Sequence, residues 1–359
     1  MSTGEDTVKT WYDYGGAVHV HSEYSHDGRR SVSEIMKAAA GANLDFVMIT
    51  DHDSIEARRK EGWHGRVILV AGQEISPRFN HYIAFGVDRA IASSEKRTAQ
   101  EYVDEVKKRG GIGFIAHPDH EGAPMFHVKH FPWIDWSVSG YDGMSVWDFM
   151  TDWQSSLTSR GRALLSYFFP ALFLTGPRDE TLRRWDRLNG EGMPVAGIGE
   201  CDNHDTPYAL FGCSVAVFPF SRAFRFVTTH IMVDKPLVMD ASRDSATLLR
   251  ALARGHSYMA LEYFASPKGF RFSVGDGVTE ASVGGDYFLG DEPARLSVVL
   301  PCRGLIRVIR NGVCIARERG RSYDCSLAGE GIYRVEVFLH RWGRDRPWIF
   351  TNPIRVRAR

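Results

Sequence analysis

The sequence has no excess of charge of either sign, which limits the kinds of partner that it can bind. Lysine and arginine together number 44, as do aspartate and glutamate, so the formal net charge is zero at pH 7. A protein that binds nucleic acid mainly through its net charge needs an excess of positive residues to neutralise the phosphates. We therefore expect a small-molecule substrate and no nucleic-acid partner, although a local basic pocket for one phosphate is compatible with this composition.

The chain also has few cysteines and no long apolar run. Its five cysteines form no Cys-x-x-Cys pair, and an odd number in 359 residues does not predict a disulfide framework. The longest apolar run, residues 167–174, contains a proline and is far shorter than the roughly 20 residues that span a bilayer. It is typical of a buried helix face, with the wall of a pocket as the alternative. Residues 1–14 lack the apolar core of a secretory signal. These absences predict a cytoplasmic protein with no membrane partner and leave the oligomeric state open.

Up to about residue 220, short runs rich in Val and Ile alternate with helical patterns, and such runs are typical of buried strands. The expected strands are 17–20, 46–50, 67–71, 82–85, 112–116, 143–146, 195–198 and 214–218. The expected helices are 33–42, 98–109, 179–189 and 245–254. Ser31 and Glu34 supply capping chemistry for the first helix. This alternation of strands and helices predicts an α/β barrel.

From about Phe270 the helical pattern stops and short alternating runs follow, separated by turn residues such as Asn311-Gly312. About 90 residues of this kind predict a small β-sandwich. The expected domains are therefore a barrel over residues 1–268 and an accessory β-domain over residues 269–359, the second with few clustered metal-type ligands.

Six short blocks of histidine, aspartate and glutamate are spread over the first two hundred residues, most of them directly after an expected strand. The blocks are His19-Val20-His21, Asp51-His52-Asp53, Gln73-Glu74, His81, His117-Pro118-Asp119-His120 and Glu200-Cys201-Asp202-Asn203-His204-Asp205. In an α/β barrel the carboxyl ends of the strands form one rim, where active sites are built. Carboxylates and imidazoles that converge there would lose hydration without compensation unless a cation joined them. The pattern predicts a site for two to three divalent ions, with ligand types that suit Zn, Mn or Fe.

The same blocks resemble the motifs of the PHP (polymerase and histidinol phosphatase) domain in order and approximate spacing over residues 17–205. The resemblance implies a distorted seven-stranded (βα) barrel with a trinuclear metal centre. By position, it implies one ion on His19, His21, Glu74 and Asp202, a second on Glu74, His81 and His117, and a third on Asp27 or His26 together with His52 and His204. The helical pattern at 181–188 and the closing segment 348–354 resemble the CehA/McbA-type branch, whose members pair the barrel with a C-terminal β-domain.

The third-ion ligand is ambiguous because the chain has one residue more than the usual Ser-Asp-Gly, reading Ser25-His26-Asp27-Gly28. We expect Asp27 to be the ligand, since Gly28 follows it as glycine follows the equivalent aspartate in the family motif. Glycine permits the tight backbone of such a turn. His26 would then point outward or line the mouth of the pocket.

Together these features predict a metal-dependent hydrolase whose nucleophile is a hydroxide that bridges two ions. Asp202, Glu74 and Asp51 are the expected catalytic carboxylates, and Asp51 is expected to act by orienting ligands from behind, with a loop cap as the alternative. Arg178 and His120 are candidates for substrate binding, with a surface position as the alternative for each. The favoured reaction is phosphoester hydrolysis on a small phosphorylated molecule. The alternatives are hydrolysis of a carbamate, ester or amide, as the CehA-type resemblance implies, and a non-catalytic binding module that metals stabilise.

Overall fold

A computed structural model describes residues 10–210 and 213–359. The expectation about a secretory signal rests largely on residues 1–9, which lie outside this range. Within it, the first part of the chain combines strands with seven α-helices and three short 3-10 turns. The helices are α1 (Val32–Gly41), α2 (Ala99–Lys108), α3 (Phe149–Ser155), α4 (Arg160–Phe168), α5 (Asp179–Gly190), α6 (Phe220–Ala223) and α7 (Ala241–Ala253). The 3-10 turns are Glu56–Lys60, Pro124–Phe126 and Pro170–Leu172.

Twelve strands belong to this first part of the described chain. They are β1 (Tyr12–Val20), β2 (Phe46–His52), β3 (Gly62–His64), β4 (Val67–Ile75), β5 (Tyr82–Phe85), β6 (Ile112–Ile115), β7 (Gly143–Asp148), β8 (Ala196–Glu200), β9 (Pro207–Leu210), β10 (Cys213–Ala216), β11 (Val227–Val233) and β12 (Ser257–Leu261). The expected strands are all present, and several continue further than predicted, because β2, β4 and β8 extend into the His/Asp/Glu blocks. The expected α/β class is confirmed.

The strands that carry these blocks are neighbours in one sheet, in the order β1-β2-β4-β5-β6-β7-β8. All the neighbouring pairs are parallel except those of β5, which is antiparallel to both β4 and β6. This departs from a regular (βα) repeat, because the connection from β4 to β5, residues 76–81, is too short for a crossover to a parallel strand.

The expected closed barrel is wrong in one respect: among the described residues, no strand ladder joins β8 to β1. The amino-terminal half of β1 pairs instead with β11, from Tyr12 opposite Val233 to Gly16 opposite Thr229. Only beyond Gly16 do the two ends approach, where the Cys201 N–H donates to Val18 O at 2.9 Å. The sheet is therefore open, with its ends bridged near the carboxyl ends of β1 and β8.

The inward face of this sheet is apolar along most of each strand and carries candidate ligands at the carboxyl ends of β2 and β4. Because every second residue of a strand faces the same side, the apolar residues and the candidate ligands share this face. On β2, Phe46 and Met48 belong to the interior core and the same face continues to His52. On β4, Ile68 and Val70 lead in the same way to Glu74. Leu248, Ala251 and Leu252 of α7 complete this interior core, which is distinct from the larger core that contains residues of α1 and α2.

Helix α1 begins as the sequence predicts. The Ser31 hydroxyl accepts a hydrogen bond from the Glu34 N–H at 3.3 Å, and the Glu34 carboxylate accepts one from the Ser31 N–H at 3.0 Å. This reciprocal capping satisfies donors that the first helical turn leaves unpaired. It also fixes the end of the loop that follows His21, which carries Asp27.

The C-terminal part consists of strands only, in agreement with the change of composition near Phe270. They are β13 (Arg271–Gly275), β14 (Glu280–Ser282), β15 (Asp286–Phe288), β16 (Arg295–Arg310), β17 (Val313–Ser326), β18 (Gly331–Arg341), β19 (Arg344–Thr351) and β20 (Ile354–Arg357). Strand β19 pairs antiparallel with β12, so these strands continue the sheet of the first part. Met232, Tyr258 and Ala260 of β11 and β12 belong to the same core cluster as the C-terminal strands.

Within the described ranges, none of the helices combines the length and the apolar composition that a membrane crossing requires. Among the described residues, Cys201, Cys302, Cys314 and Cys325 are free thiols.

Candidate metal centre

A β-bulge turns two histidines of β1 into the site. The pairing of β1 with β2 shifts register between Val18 and Val20, and His19 between them has a left-handed backbone with φ of 64°. Such bulges bend a strand and re-aim its side chains, and they recur next to active sites. As a result His19 and His21 are both fully buried, with their rings 5.0 Å apart.

Strands β2, β4 and β5 bring three further candidate ligands to the same level. His52 and Glu74 are Cα partners across the β2–β4 pair. Because β5 is antiparallel, its amino end lies beside the carboxyl end of β4, and His81 immediately precedes β5. The antiparallel orientation of β5 thus explains why a residue that precedes one strand belongs with residues at the carboxyl ends of others.

The remaining ligand candidates lie just past the ends of β6 and β8 on strained backbone. His117 and Asp202 have positive φ values of 24° and 43°, conformations that side-chain-bearing residues seldom adopt. With His19 they place three non-glycine residues of positive φ around one site. Strain of this kind persists where the surrounding structure imposes it and is concentrated at functional sites.

The carboxylate of Glu74 lies at the centre of the cluster and faces histidines on both sides. Its Oε1 is 2.7 Å from His81 Nδ1 and 3.1 Å from His117 Nε2. Its Oε2 is 3.3 Å from His19 Nε2 and 3.5 Å from His21 Nε2. One carboxylate therefore belongs to two adjoining groups of ligand atoms, His19-His21-Glu74 and Glu74-His81-His117. Because the two groups share the carboxylate of Glu74, their centres lie close together.

Asp202 joins the first of these groups from the rim. Its Oδ1 is 3.5 Å from His19 Nε2 and 3.4 Å from His21 Nε2, while the side chain remains 14% exposed. Asp202 also lines the cavity above the cluster. Asp202 thus faces both the buried histidines and the cavity, and it is more exposed than Glu74, which is fully buried.

A third group combines Asp27 with His52, His204 and His21. Asp27 Oδ2 is 3.4 Å from Nε2 of both His52 and His204. The neighbouring His26 is in none of the ligand groups of the described chain and its side chain is 75% exposed. Its ring lies 4.8 Å from that of His52, at the mouth of the cavity, in the position expected for His26 if Asp27 is the ligand.

Buried polar atoms without hydrogen-bond partners test whether this donor set fits metal ions. His19 Nε2 and His21 Nε2 are buried and make no hydrogen bond, and both face Glu74 Oε2, which lies 2.9 Å from His52 Nδ1. A buried polar group left unpaired costs free energy, and two imidazole nitrogens that point at one carboxylate oxygen require a common partner. A divalent cation is such a partner, and imidazole with carboxylate is a donor set that Zn, Mn or Fe accepts. The residues therefore fit the metal that the sequence implies.

Electrostatics of the protein atoms alone show the same conflict. Burial would lower the pKa of His19, but the carboxylates of Glu74, Asp202 and Glu200 raise it well above its ordinary value. Burial would raise the pKa of Glu74, yet the histidines around it hold it well below its usual range. Burial and the neighbouring histidines lower the pKa of His21 well below normal. Opposed shifts inside one buried cluster beside a cavity identify a candidate functional site.

Two carboxylates behind the ligands hold them in place. Glu200 Oε2 lies 2.9 Å from His19 Nδ1, and Glu200 Oε1 accepts a hydrogen bond from the backbone N–H of His117 at 2.7 Å. A carboxylate on the far ring nitrogen fixes the orientation of a ligating histidine. Glu200 is not among the site residues that the sequence motifs predict. Its available signal was position, since Ala196, Ile198 and Glu200 follow one face of β8 toward the rim.

Asp51 has a similar positioning role. Its carboxylate accepts hydrogen bonds from the Ser22 N–H at 2.5 Å and from the Ser22 hydroxyl at 2.8 Å, and burial raises its pKa to about 6. It thereby fixes the chain directly after His21. This geometry agrees with the expected support from behind rather than with a group that touches the substrate.

A cavity of about 820 Å³ lies above the ligand cluster. His120 lines it, but its ring is held between Gln154 Oε1 at 2.9 Å and the Phe131 N–H at 3.1 Å. Burial lowers the pKa of His120 to about 3, which leaves the ring neutral. Arg178 is outside the lining of this cavity and forms a two-pronged ion pair with Glu121 at 2.6 and 2.8 Å. His120 therefore lies at the site. Arg178 does not line the cavity, and both of its terminal nitrogens bind the carboxylate of Glu121.

Comparison with known proteins finds a family match in the segment that supplies most of the ligands. Residues 17–127 match the family model of the PHP domain. No curated protein matches the sequence. A two-domain protein from Bacteroides vulgatus, described as containing a predicted PHP-like metal-dependent phosphoesterase, is 13% identical, with 96% of this chain and 95% of that chain covered and a TM-score of 0.44. Endonuclease Q bound to a 27-mer duplex with an abasic lesion is 12% identical, with 65% and 56% covered and a TM-score of 0.39. An amidohydrolase from Chromobacterium violaceum with bound sulfate is 15% identical, with 58% and 93% covered and a TM-score of 0.30.

Proposed function

We propose, from the premise that residues 17–127 form a PHP domain, that this protein is a metal-dependent phosphoesterase that acts on a small phosphorylated molecule. The observation that carries the proposal is the position of Glu74, whose two oxygens belong to adjoining ligand groups at the floor of a large cavity. Adjoining cations suit phosphoester hydrolysis, since they can engage the attacking and the leaving oxygen together.

Two or three divalent ions of Zn, Mn or Fe would be held by nine side chains. The proposed ligands are His19, His21, Asp27, His52, Glu74, His81, His117, Asp202 and His204. When bound, the ions would lower the pKa of water and offset the negative charge that develops on the phosphoryl group.

The protein's own groups supply positioning and proton transfer. Asp202 reaches the cavity and is the group proposed to accept the proton of the attacking water. Glu200 fixes the ring of His19, and Asp51 fixes the loop after His21. Glu74 holds the two adjoining groups at a constant separation, which keeps the reacting atoms aligned.

Metal content and a substrate panel test the proposal together. Protein purified without chelator and then incubated with Mn or Zn is expected to retain two to three ions per chain by elemental analysis. One ion or fewer would overturn the polynuclear centre. The loaded protein is expected to hydrolyse phosphomonoesters or phosphodiesters, whereas activity confined to aryl carbamates, esters or amides would replace the proposed reaction.

Variants of the two central carboxylates separate chemistry from folding. Glu74→Ala and Asp202→Ala are expected to abolish hydrolysis while circular dichroism shows an intact fold. Wild-type turnover in either variant would contradict the assignment. Metal binding without any hydrolysis across the whole panel would favour a non-catalytic module. The absence of a nucleic-acid partner and the division into domains at residue 268 also stay predictions.

A further inference from the structure

The cavity above the ligand cluster has one polar side and one apolar side. Its floor carries the candidate ligands, whereas its wall includes Phe126, Phe131, Trp153, Leu157, Leu164 and Tyr167. Helices α3 and α4, with the short link between them, supply four of these six side chains. A wall of this kind stabilises a ligand by removing apolar surface from water.

Two polar side chains next to this wall, Gln154 and Arg78, already have partners within the protein, while Arg160 of α4 also lines the cavity. Gln154 Oε1 lies 2.9 Å from His120 Nε2. The guanidinium of Arg78 donates to His130 O at 2.6 Å and lies over the ring of Phe131, 5.3 Å from its centre. A hydroxyl-rich substrate, such as a sugar phosphate, would have to break such pairs or leave its own hydroxyls unsatisfied, and buried unpaired polar groups are costly.

The wall reaches from the interior to the mouth of the cavity. Trp153 and Leu157 are 7% and 8% exposed, whereas Leu164 on α4 lines the same cavity and is 59% exposed. The cavity volume of about 820 Å³ falls within the range that encloses ligands of drug-like size. The space above the ligands is thus much larger than a phosphate group needs.

We infer that the substrate is a phosphate ester of a bulky apolar alcohol, with an alkyl or aryl group that lies against this wall while the phosphate faces the ligand cluster. The inference rests on the proposed function and names its substrate class. Hydrolysis would break the ester linkage at phosphorus with addition of one water, to give inorganic phosphate and the free alcohol from a monoester.

Alkylphosphonates test the wall without requiring turnover. Binding of ethylphosphonate and octylphosphonate to metal-loaded protein is measured by calorimetry, and the two ligands share one head group. Burial of each added methylene strengthens binding about three- to fourfold, so octylphosphonate is expected to bind at least ~100-fold more tightly. In parallel, octyl phosphate is expected to exceed both ethyl phosphate and a hexose phosphate in kcat/KM.

Two adjacent leucines on α4 provide a matched pair of variants. Leu164→Ser, in the wall, is expected to reduce the preference for octylphosphonate over ethylphosphonate by about fivefold. Leu165→Ser is the control, because Leu165 is 48% exposed and is not part of the cavity lining. It is expected to leave that preference unchanged.

The outcomes separate this inference from the proposed function. Equal binding of the two phosphonates, or preferred turnover of the hexose phosphate, would overturn the apolar substrate class while leaving phosphoester hydrolysis in place. Selective binding of octylphosphonate that depends on Leu164, without hydrolysis of any phosphoester, would support the apolar wall and overturn the proposed reaction.

Discussion

At the scale of single residues, the loop after β1 raises a choice between two adjacent ligands. Asp27 Oδ2 lies 3.4 Å from the Nε2 atoms of His52 and His204, whereas His26 is largely exposed. Asp27→Ala is therefore expected to lower metal occupancy more than His26→Ala does, since a short carboxylate on the Asp27-Gly28 turn completes the third group. Elemental analysis of both variants after identical metal loading measures the difference. A greater loss in His26→Ala would reverse the assignment.

Glu200 offers a second prediction at this scale, because it touches His19 without being a proposed ligand. Glu200→Gln removes the negative charge beside His19 Nδ1 and is expected to weaken metal affinity about 10- to 100-fold, as is typical when such a supporting carboxylate is changed. Competition with a chromogenic chelator measures the affinity.

Glu262→Gln is the control for Glu200→Gln. Glu262 is also a carboxylate beside a buried histidine, 2.8 Å from His230 Nε2, but it is in none of the ligand groups. An equal loss of affinity in both variants would mean that the effect is general destabilisation and would contradict the role of Glu200.

At the scale of elements, β1, β11 and β12 are joined by a buried ionic cluster around His230. Its Nδ1 lies 2.6 Å from Asp13 Oδ1, its Nε2 lies 2.8 Å from Glu262 Oε1, and Tyr258 donates to Asp13 Oδ2 at 2.6 Å. The ring also packs against Gly15, where a Cβ would come within 2.7 Å of it. Burial would lower the pKa of His230, but Asp13 and Glu262 raise it to about 9.

This cluster predicts a loss of stability at alkaline pH. A raised pKa in the folded state contributes stability that is complete below the unfolded value of about 6.5 and is lost as pH rises through about 9. The wild-type free energy of unfolding is expected to fall by up to about 3 kcal/mol between pH 6.5 and 9.5, relative to His230→Gln. Urea unfolding of both proteins at the two pH values measures this difference. A parallel dependence in the two proteins would exclude His230 as the source.

The same scale shows what the sequence could predict and what it could not. Strand positions and ligand blocks follow from local patterns, as in the run from Phe46 through Met48 to His52, where each second residue faces one side. The orientation of β5 follows from its short connection to β4, whereas the pairing of β11 with β1 depends on contacts between distant segments, which no local period encodes. The role of Glu200 likewise depends on the position of His19, 181 residues away.

The apolar run 167–174 shows that a sequence pattern does not predict which apolar side chains are buried in the core. A buried helix face was the favoured interpretation, but Phe168 and Phe169 are 59% and 54% exposed, so that interpretation is wrong for them. Tyr167 lines the cavity, in keeping with the alternative. Hydrophobicity alone does not distinguish a core from a substrate wall, since both gain from the exclusion of water. Arg178 is a comparable case, because only the fold reveals Glu121 as its partner.

At the scale of the whole molecule, the C-terminal strands are attached to the first part by specific polar contacts as well as by the shared sheet. Asn352 uses its side-chain amide like a strand backbone: Oδ1 accepts from the Gly197 N–H at 2.7 Å and Nδ2 donates to Gly197 O at 2.7 Å. It thereby ties the chain after β19 to β8, whose end carries Glu200. No C-terminal side chain lies in the ligand groups or the cavity lining of the described residues. We therefore propose that this part supports the site mechanically.

The second attachment is a buried ion pair between α5 and β18, and it supports a quantitative prediction. Arg334 donates from Nε to Asp186 Oδ1 at 2.6 Å, from Nη2 to Asp186 Oδ2 at 2.8 Å and from Nη1 to Glu336 Oε1 at 2.6 Å. Arg334→Met would leave the buried carboxylate of Asp186 without its partner, whereas Glu336 keeps an ion pair with Arg307 at 3.0 Å, so the free energy of unfolding is expected to fall by about 3 kcal/mol.

Arg319→Met is the matched control, because Arg319 pairs with Asp345 at 2.8 and 2.7 Å but remains 45% exposed. Water already screens that pair, so its loss is expected to cost less than about 1 kcal/mol. Denaturant unfolding measures the free energy of unfolding of both variants. A larger loss in Arg334→Met than in Arg319→Met would show that an ion pair stabilises this junction because it is buried. Adding Asp186→Asn to Arg334→Met should recover part of the loss, since the carboxylate left unpaired is then replaced by a neutral amide. If the double variant is no more stable than Arg334→Met alone, the cost comes from lost packing against Trp185, whose ring lies 5.8 Å from the guanidinium carbon of Arg334, and the ionic account of this junction is wrong.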